Sequence, residues 1–120
     1  MELMYKTKLL IVFAFAVFIA AACASKSKGG FVITGSPRYE ASLFRQNCAI
    51  CHGPEGNGRV LDNGTKVPSL REGEFKAKTE AQISNQIANG GNGMVAFRNQ
   101  LSQRELQMMT QFVQHDLRGQ

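Results

Sequence analysis

The hydrophobic pattern of this chain falls into two parts. From Leu9 to Ala22 it is an almost unbroken apolar run, with Lys6 and Lys8 just before it. Beyond residue 36 it breaks into short amphipathic stretches separated by polar, glycine-rich ones. Ser36-Pro37 predicts an N-cap followed by proline at the first helical position. Tyr39, Ala41, Leu43 and Phe44 then supply the apolar face of a helix running towards Cys48. Thr79-Glu80-Ala81-Gln82 is a capping box, and Ile83 and Ile87 behind it share one face. Asn89-Gly90-Gly91-Asn92-Gly93 ends that helix. Ser102 with Glu105 forms a second capping box, Leu101 and Leu106 have staple spacing, and Leu106, Met109 and Val113 continue a stripe that Phe112 widens. The seven glycine and proline positions between Gly53 and Phe75 predict a long irregular loop, unusual in so small a domain unless it wraps something. No internal repeat and no strand of any length is expected.

The pattern therefore predicts an all-α domain of three to five short helices joined by glycine-rich loops. It extends over residues 37–120, only 84 positions. Domains near this size have marginal cores and often need a metal, a disulfide or another staple. Something apolar is expected to fill the middle.

Residues 1–22 have the layout of a secretory signal: a positive start, a short apolar run, then small residues. The run is shorter than the roughly 20 apolar residues of a bilayer span, which weighs against an uncleaved anchor. Ala20-Ala21-Ala22-Cys23 resembles the lipobox of bacterial lipoproteins, whose cysteine becomes the acylated N-terminus. The rival is an ordinary A-x-A cut, after Ala22 or after Ala24. Acylation is the preferred expectation, because it gives Cys23 a role where an unpaired thiol would face an oxidising compartment. Residues 23–36 read as a flexible Ser/Lys/Gly tether with a short docking segment at Phe31-Val32-Ile33. The expected location is thus the periplasm or the outer face of the cell membrane, with a lipid anchor on Cys23.

Charge adds little. From Cys23 onward 12 Lys or Arg stand against 8 Asp or Glu, and the basic residues are scattered. A nucleic-acid partner would need a basic stripe, and none is present.

The chemistry resides in Cys48-Ala49-Ile50-Cys51-His52, a C-x-x-C-H run and the attachment signature of c-type haem. Two thiols three positions apart can each form a thioether with one haem vinyl group, and the histidine after the second then lies beneath the iron. Zinc would need a further Cys or His pair, and only His115 and Cys23 remain. A thioredoxin-like site would need a βαβ pattern, which is absent. A Cys48–Cys51 disulfide would close an unusually tight loop.

Over residues 37–116 the chain resembles the class I c-type cytochromes, of the small bacterial mono-haem kind. The resemblance rests on Phe44 four residues before the first cysteine, on Cys48-x-x-Cys51-His52, on Pro68-Ser69-Leu70, on the glycine-rich loop delivering Met94, and on Phe112. It implies a small cytochrome c fold around one haem c, held by two thioethers. By that resemblance His52 and Met94 are the two iron ligands. The Pro68 carbonyl accepts from the far nitrogen of His52, Leu70 packs on the haem, and Phe97, the last residue of the distal loop from Asn89, is a further haem-binding residue. Glycines that let backbone approach a flat cofactor agree with this reading. Met94 as a gap-filling core residue is the alternative, and Met108 and Met109 compete with it from a helix. The chain departs from the family at Val95, where proline is frequent, and at Glu40, where glycine is frequent.

Iron held by histidine and methionine has no open position, so the expected function is transfer of single electrons, not catalysis. Redox protein donors and acceptors are the expected partners of a monomer. A cytochrome subunit dedicated to one dehydrogenase or oxidase is the alternative, and so is a ligand-binding or peroxidase-like haem protein if Met94 does not ligate.

Overall fold

The computed structural model describes Met4, Lys6, Lys8 and residues 30–120. The apolar run 9–22, Cys23 and the tether as far as residue 29 lie outside the described residues.

Four α-helices carry the described domain: α1 (Tyr39–Asn47), the single turn α2 (Ala49–His52), α3 (Glu80–Asn89) and α4 (Gln103–Gln111). Both predicted capping boxes form. Thr79 Oγ1 accepts from the Gln82 amide, Ser102 Oγ accepts from that of Glu105, and each partner side chain reaches back to the cap. The described domain is thus a set of short helices joined by loops, the all-α architecture that the sequence leads one to expect.

Three details differ from the sequence pattern. α1 starts at Tyr39 with Arg38 as its N-cap, two residues beyond the proline start. A turn from Ile33 to Ser36 stands in the way, and the Arg45 guanidinium takes the Ile33 and Ser36 carbonyls at 2.7 and 3.1 Å. The long loop holds a two-residue antiparallel ladder, β1 (Arg59–Val60) with β2 (Lys66–Val67), where no strand is expected. Finally, α4 widens into a π-helix over Phe112–Leu117. Its wider turn keeps Phe112, Val113 and Leu117 all in the core.

One hydrophobic core joins these elements. Ala41, Leu43 and Phe44 of α1 meet Ile83 and Ile87 of α3, Leu106 and Met109 of α4, and Phe112, Val113 and Leu117 beyond it. Leu101, the predicted staple partner of Leu106, is buried as well. Ala41 is fully buried next to half-buried Glu40. Burial of each such large side chain stabilises by about 1.5–3 kcal/mol.

The packed body begins before residue 37. Ile33 is fully buried, and the Phe31 ring meets that of Phe112 edge-on at 5.2 Å. The Glu55 carboxylate accepts from the Ile33 and Thr34 amides at 2.9 and 2.7 Å. Arg71 donates to the Phe31 carbonyl at 2.6 Å and to Glu55 at 3.2 Å. The expected docking segment is thus held by side chains of the long loop, which carries the site.

Candidate functional site

Cys48, Cys51 and His52 sit where α1 hands over to α2. Cys48 caps both helices: its amide donates to the Phe44 carbonyl at 2.8 Å, and its own carbonyl accepts from His52 at 2.9 Å. That single turn puts the two thiols and the imidazole on consecutive corners of one helical step. Both thiols are free, Cys48 half-buried and Cys51 exposed. Burial pushes the Cys48 thiol up to about 12, and neighbouring Cys51 adds to the effect.

The His52 imidazole is held below its usual range by burial, with the Pro68 carbonyl acting in the opposite direction. Its Nδ1 is buried and makes no hydrogen bond of full geometry. The Pro68 carbonyl is the backbone acceptor that acts on this ring. A neutral ring oriented through one nitrogen is what a metal-ligating histidine requires at the other.

Met94 arrives on a tight hairpin. Gly91 and Met94 exchange backbone hydrogen bonds of 2.9 and 3.0 Å around Asn92 and Gly93, whose φ values are +52° and +87°. Positive φ at both central residues is the type I′ turn, for which Asn-Gly is the preferred sequence. Gly90 makes the return possible. A Cβ there would stand 2.4 Å from the Met94 carbonyl oxygen, so residue 90 must lack one.

Cys48, Ala49, Leu70 and Met94 are partly buried and pack against the same core, to which Phe97 belongs as a buried member. Pro68 is exposed and enters the site through its carbonyl alone. The tertiary structure thus gathers Cys48, Leu70, Met94 and Phe97 on one core from three segments, while Cys51 is exposed and His52 half-buried beside them. His115 is exposed and bonds through Nδ1 to the Gln120 carbonyl. Met109 is buried in the helix stripe, as its spacing requires.

Sequence reasoning misses Gln86. Its Nε2 donates to the Gly91 carbonyl at 3.0 Å and lies 3.8 Å from the Met94 sulfur. The available signal was its place on α3, one turn before the glycine loop.

The residues present suit a covalently held haem. Two free thiols stand one helical step apart, a half-buried imidazole follows them, and a thioether is presented on a rigid turn. Among the described residues no three His, Cys, Asp or Glu side chains gather as a metal cluster would need.

The family described as "Cytochrome C oxidase, cbb3-type, subunit III" matches residues 36–113. Cytochrome c6 of Petalonia fascia is 32% identical over 72 residues, which cover 60% of this chain and 82% of that protein. Cytochrome c6 of Gracilaria tenuistipitata var. liui is 32% identical over 71 residues, 59% of this chain, and the match spans 64% of that relative's length. Among solved structures, the KustC0563 c-type cytochrome aligns with a TM-score of 0.53 at 31% identity, covering 61% of this chain and 90% of that chain.

Proposed function

Because the chain belongs to the c-type cytochromes, in the family described as cytochrome c oxidase, cbb3-type, subunit III, we propose that it is a mono-haem carrier of single electrons between redox proteins outside the cytoplasmic membrane. The family implies haem c, covalently bound, and electron transfer as the general function. One haem, the ligand pair and the cellular location are the proposed refinements.

The observation that carries the proposal is the half-buried His52 ring, its Nδ1 shielded from solvent, directly after the second of two free thiols. The haem supplies a reversible one-electron change at its iron. The thiols of Cys48 and Cys51 would hold the haem through two thioethers, and His52 would offer its imidazole to the iron, with the Pro68 carbonyl acting on the ring. Met94 would offer its sulfur as the second ligand, and methionine ligation raises the potential relative to a second histidine. Leu70 and Phe97 keep water away. With His52 and Met94 both as ligands the iron would have no open position for a substrate, which supports a carrier and not an enzyme.

The test is an optical spectrum of protein made in a host that attaches haem c. Sharp reduced bands that survive acid–acetone extraction, with the weak red methionine–iron band when oxidised, are expected. Covalent haem lacking that band would remove Met94 from the ligand set, and a colourless protein would end the proposal.

A second reading, a cytochrome subunit dedicated to one oxidase or dehydrogenase, is favoured by the family's description. Ile50, Val60 and Val95 are also 74%, 58% and 62% exposed on the segments that carry the site. Weak redox encounters need only a small surface, whereas a permanent subunit buries a larger apolar one. Co-purification of a stoichiometric partner from native membranes decides between the two readings.

The proposed anchor is Cys23, with the stretch as far as residue 29 as tether. Cys23→Ser should release the red protein from washed membranes into the soluble exported fraction. Unchanged membrane retention in that variant would point to a retained leader.

A further inference from the structure

We propose that Gly58 is a positioning residue for the axial histidine: its bare Cα lets the Pro68 backbone come close enough for its carbonyl to hold the His52 ring. This rests on the reading of His52 as an iron ligand.

Gly58 lies between the two groups it connects. Its amide donates to the His52 carbonyl at 2.9 Å, fixing it to the end of α2. On its other side the Val67–Ser69 backbone passes so near that a Cβ on residue 58 would stand 2.4 Å from the Val67 carbonyl oxygen. The same Cβ would lie 2.7 Å from the Pro68 carbonyl carbon and 2.8 Å from the Ser69 nitrogen. All three neighbours are backbone atoms and cannot rotate away. The φ of Gly58 is +77°, a second reason for glycine here.

The consequence bears on the imidazole. The Pro68 carbonyl is the backbone acceptor acting on His52, whose Nδ1 is buried and makes no hydrogen bond of full geometry. Pro68 is itself exposed, so packing around its ring does not fix that carbonyl. The contact across residue 58, at the neck of the β1–β2 hairpin, holds it together with the Leu70 amide, which donates to the Gly56 carbonyl at 2.8 Å. A histidine that donates from its far nitrogen becomes a more basic metal ligand. More basic ligation favours the ferric state, so a displaced carbonyl weakens the donor and moves the potential upward.

The hairpin provides an internal control. Gly64, at its tip, has φ +82° but no atom within 4 Å of a would-be Cβ. Gly64→Ala therefore carries the backbone strain of Gly58→Ala without the collision. The experiment compares the two holoproteins with the parent by redox titration and by proton NMR of the His52 Nδ1–H. Gly58→Ala should keep covalent haem, show a more positive potential and exchange its Nδ1 proton faster. Gly64→Ala should match the parent in both. Val67→Gly loosens the approaching strand without adding an atom, and should move the potential the same way by less; it serves if Gly58→Ala does not fold. Parent-like potential and exchange in folded Gly58→Ala, or in Val67→Gly where the first variant fails, would overturn the proposal. A parent protein without covalent haem would instead overturn the reading of His52 on which it rests.

Discussion

The amide of Gln86 and the sulfur of Met94 face each other at 3.8 Å, while the same amide bonds to the Gly91 carbonyl at 3.0 Å. One side chain on α3 thus touches both the start of the distal turn and the atom that turn delivers. The positive end of an N–H dipole beside the sulfur disfavours extra positive charge on the metal. Gln86→Leu should therefore lower the reduction potential and weaken the red methionine–iron band on warming. A redox titration with temperature-dependent spectra checks both, and an unchanged potential would confine Gln86 to holding the turn.

Gly90 offers a harsher test of the same loop. Its φ of +67° and the 2.4 Å approach of the Met94 carbonyl leave no room for a methyl group. Gly90→Ala should cost about 2–4 kcal/mol of stability by strain and overpacking. Denaturant unfolding measures the loss, and the methionine–iron band should fade first. Stability equal to the parent would show that the loop has another way round.

The stability of the fold in acid should depend on Glu105. The Tyr39 hydroxyl donates to it at 2.5 Å and Ser102 binds its other oxygen, holding the carboxyl down at about 2. A carboxyl lowered on folding stabilises fully above its unfolded value, about 4.3, and that stabilisation is lost as pH falls through the folded value. The melting temperature should therefore drop between about pH 4 and pH 2. Tyr39→Phe removes the largest cause of the shift, so it should start lower at neutral pH and lose less across that window. Parallel curves for the two proteins would remove Tyr39 from this role.

Arg71 should decide whether the segment before α1 stays docked. It links Phe31, Glu55 and the long loop through hydrogen bonds to two carbonyls and one carboxylate. Hydrogen bonds to charged groups contribute about 1.5–3 kcal/mol. Arg71→Met should lower stability by about 2 kcal/mol. It should also speed hydrogen exchange at the Ile33 and Thr34 amides above all. Uniform acceleration over the whole domain would instead assign Arg71 to global stability.

The sequence by itself determined the local features. The two capping boxes set where α3 and α4 begin, because a cap needs only residues three apart. The Asn-Gly pair set the turn under Met94, since positive φ is a property of those residues. C-x-x-C-H and the helical stripes were equally legible, each being a periodicity or a spacing. Tertiary structure decided what depends on chain segments distant in sequence. The bare face of Gly58 matters only because Val67–Ser69 crosses it, and Gln86 is one more polar helix residue until the loop folds back. Arg71 reaches Phe31 across 40 positions. The π-helix at Phe112 widens the turn to bury neighbouring side chains, and the added start of the domain at Phe31 depends on a core that includes Phe112. Local backbone preference is written residue by residue, whereas close approach and burial depend on which distant segments share the same space.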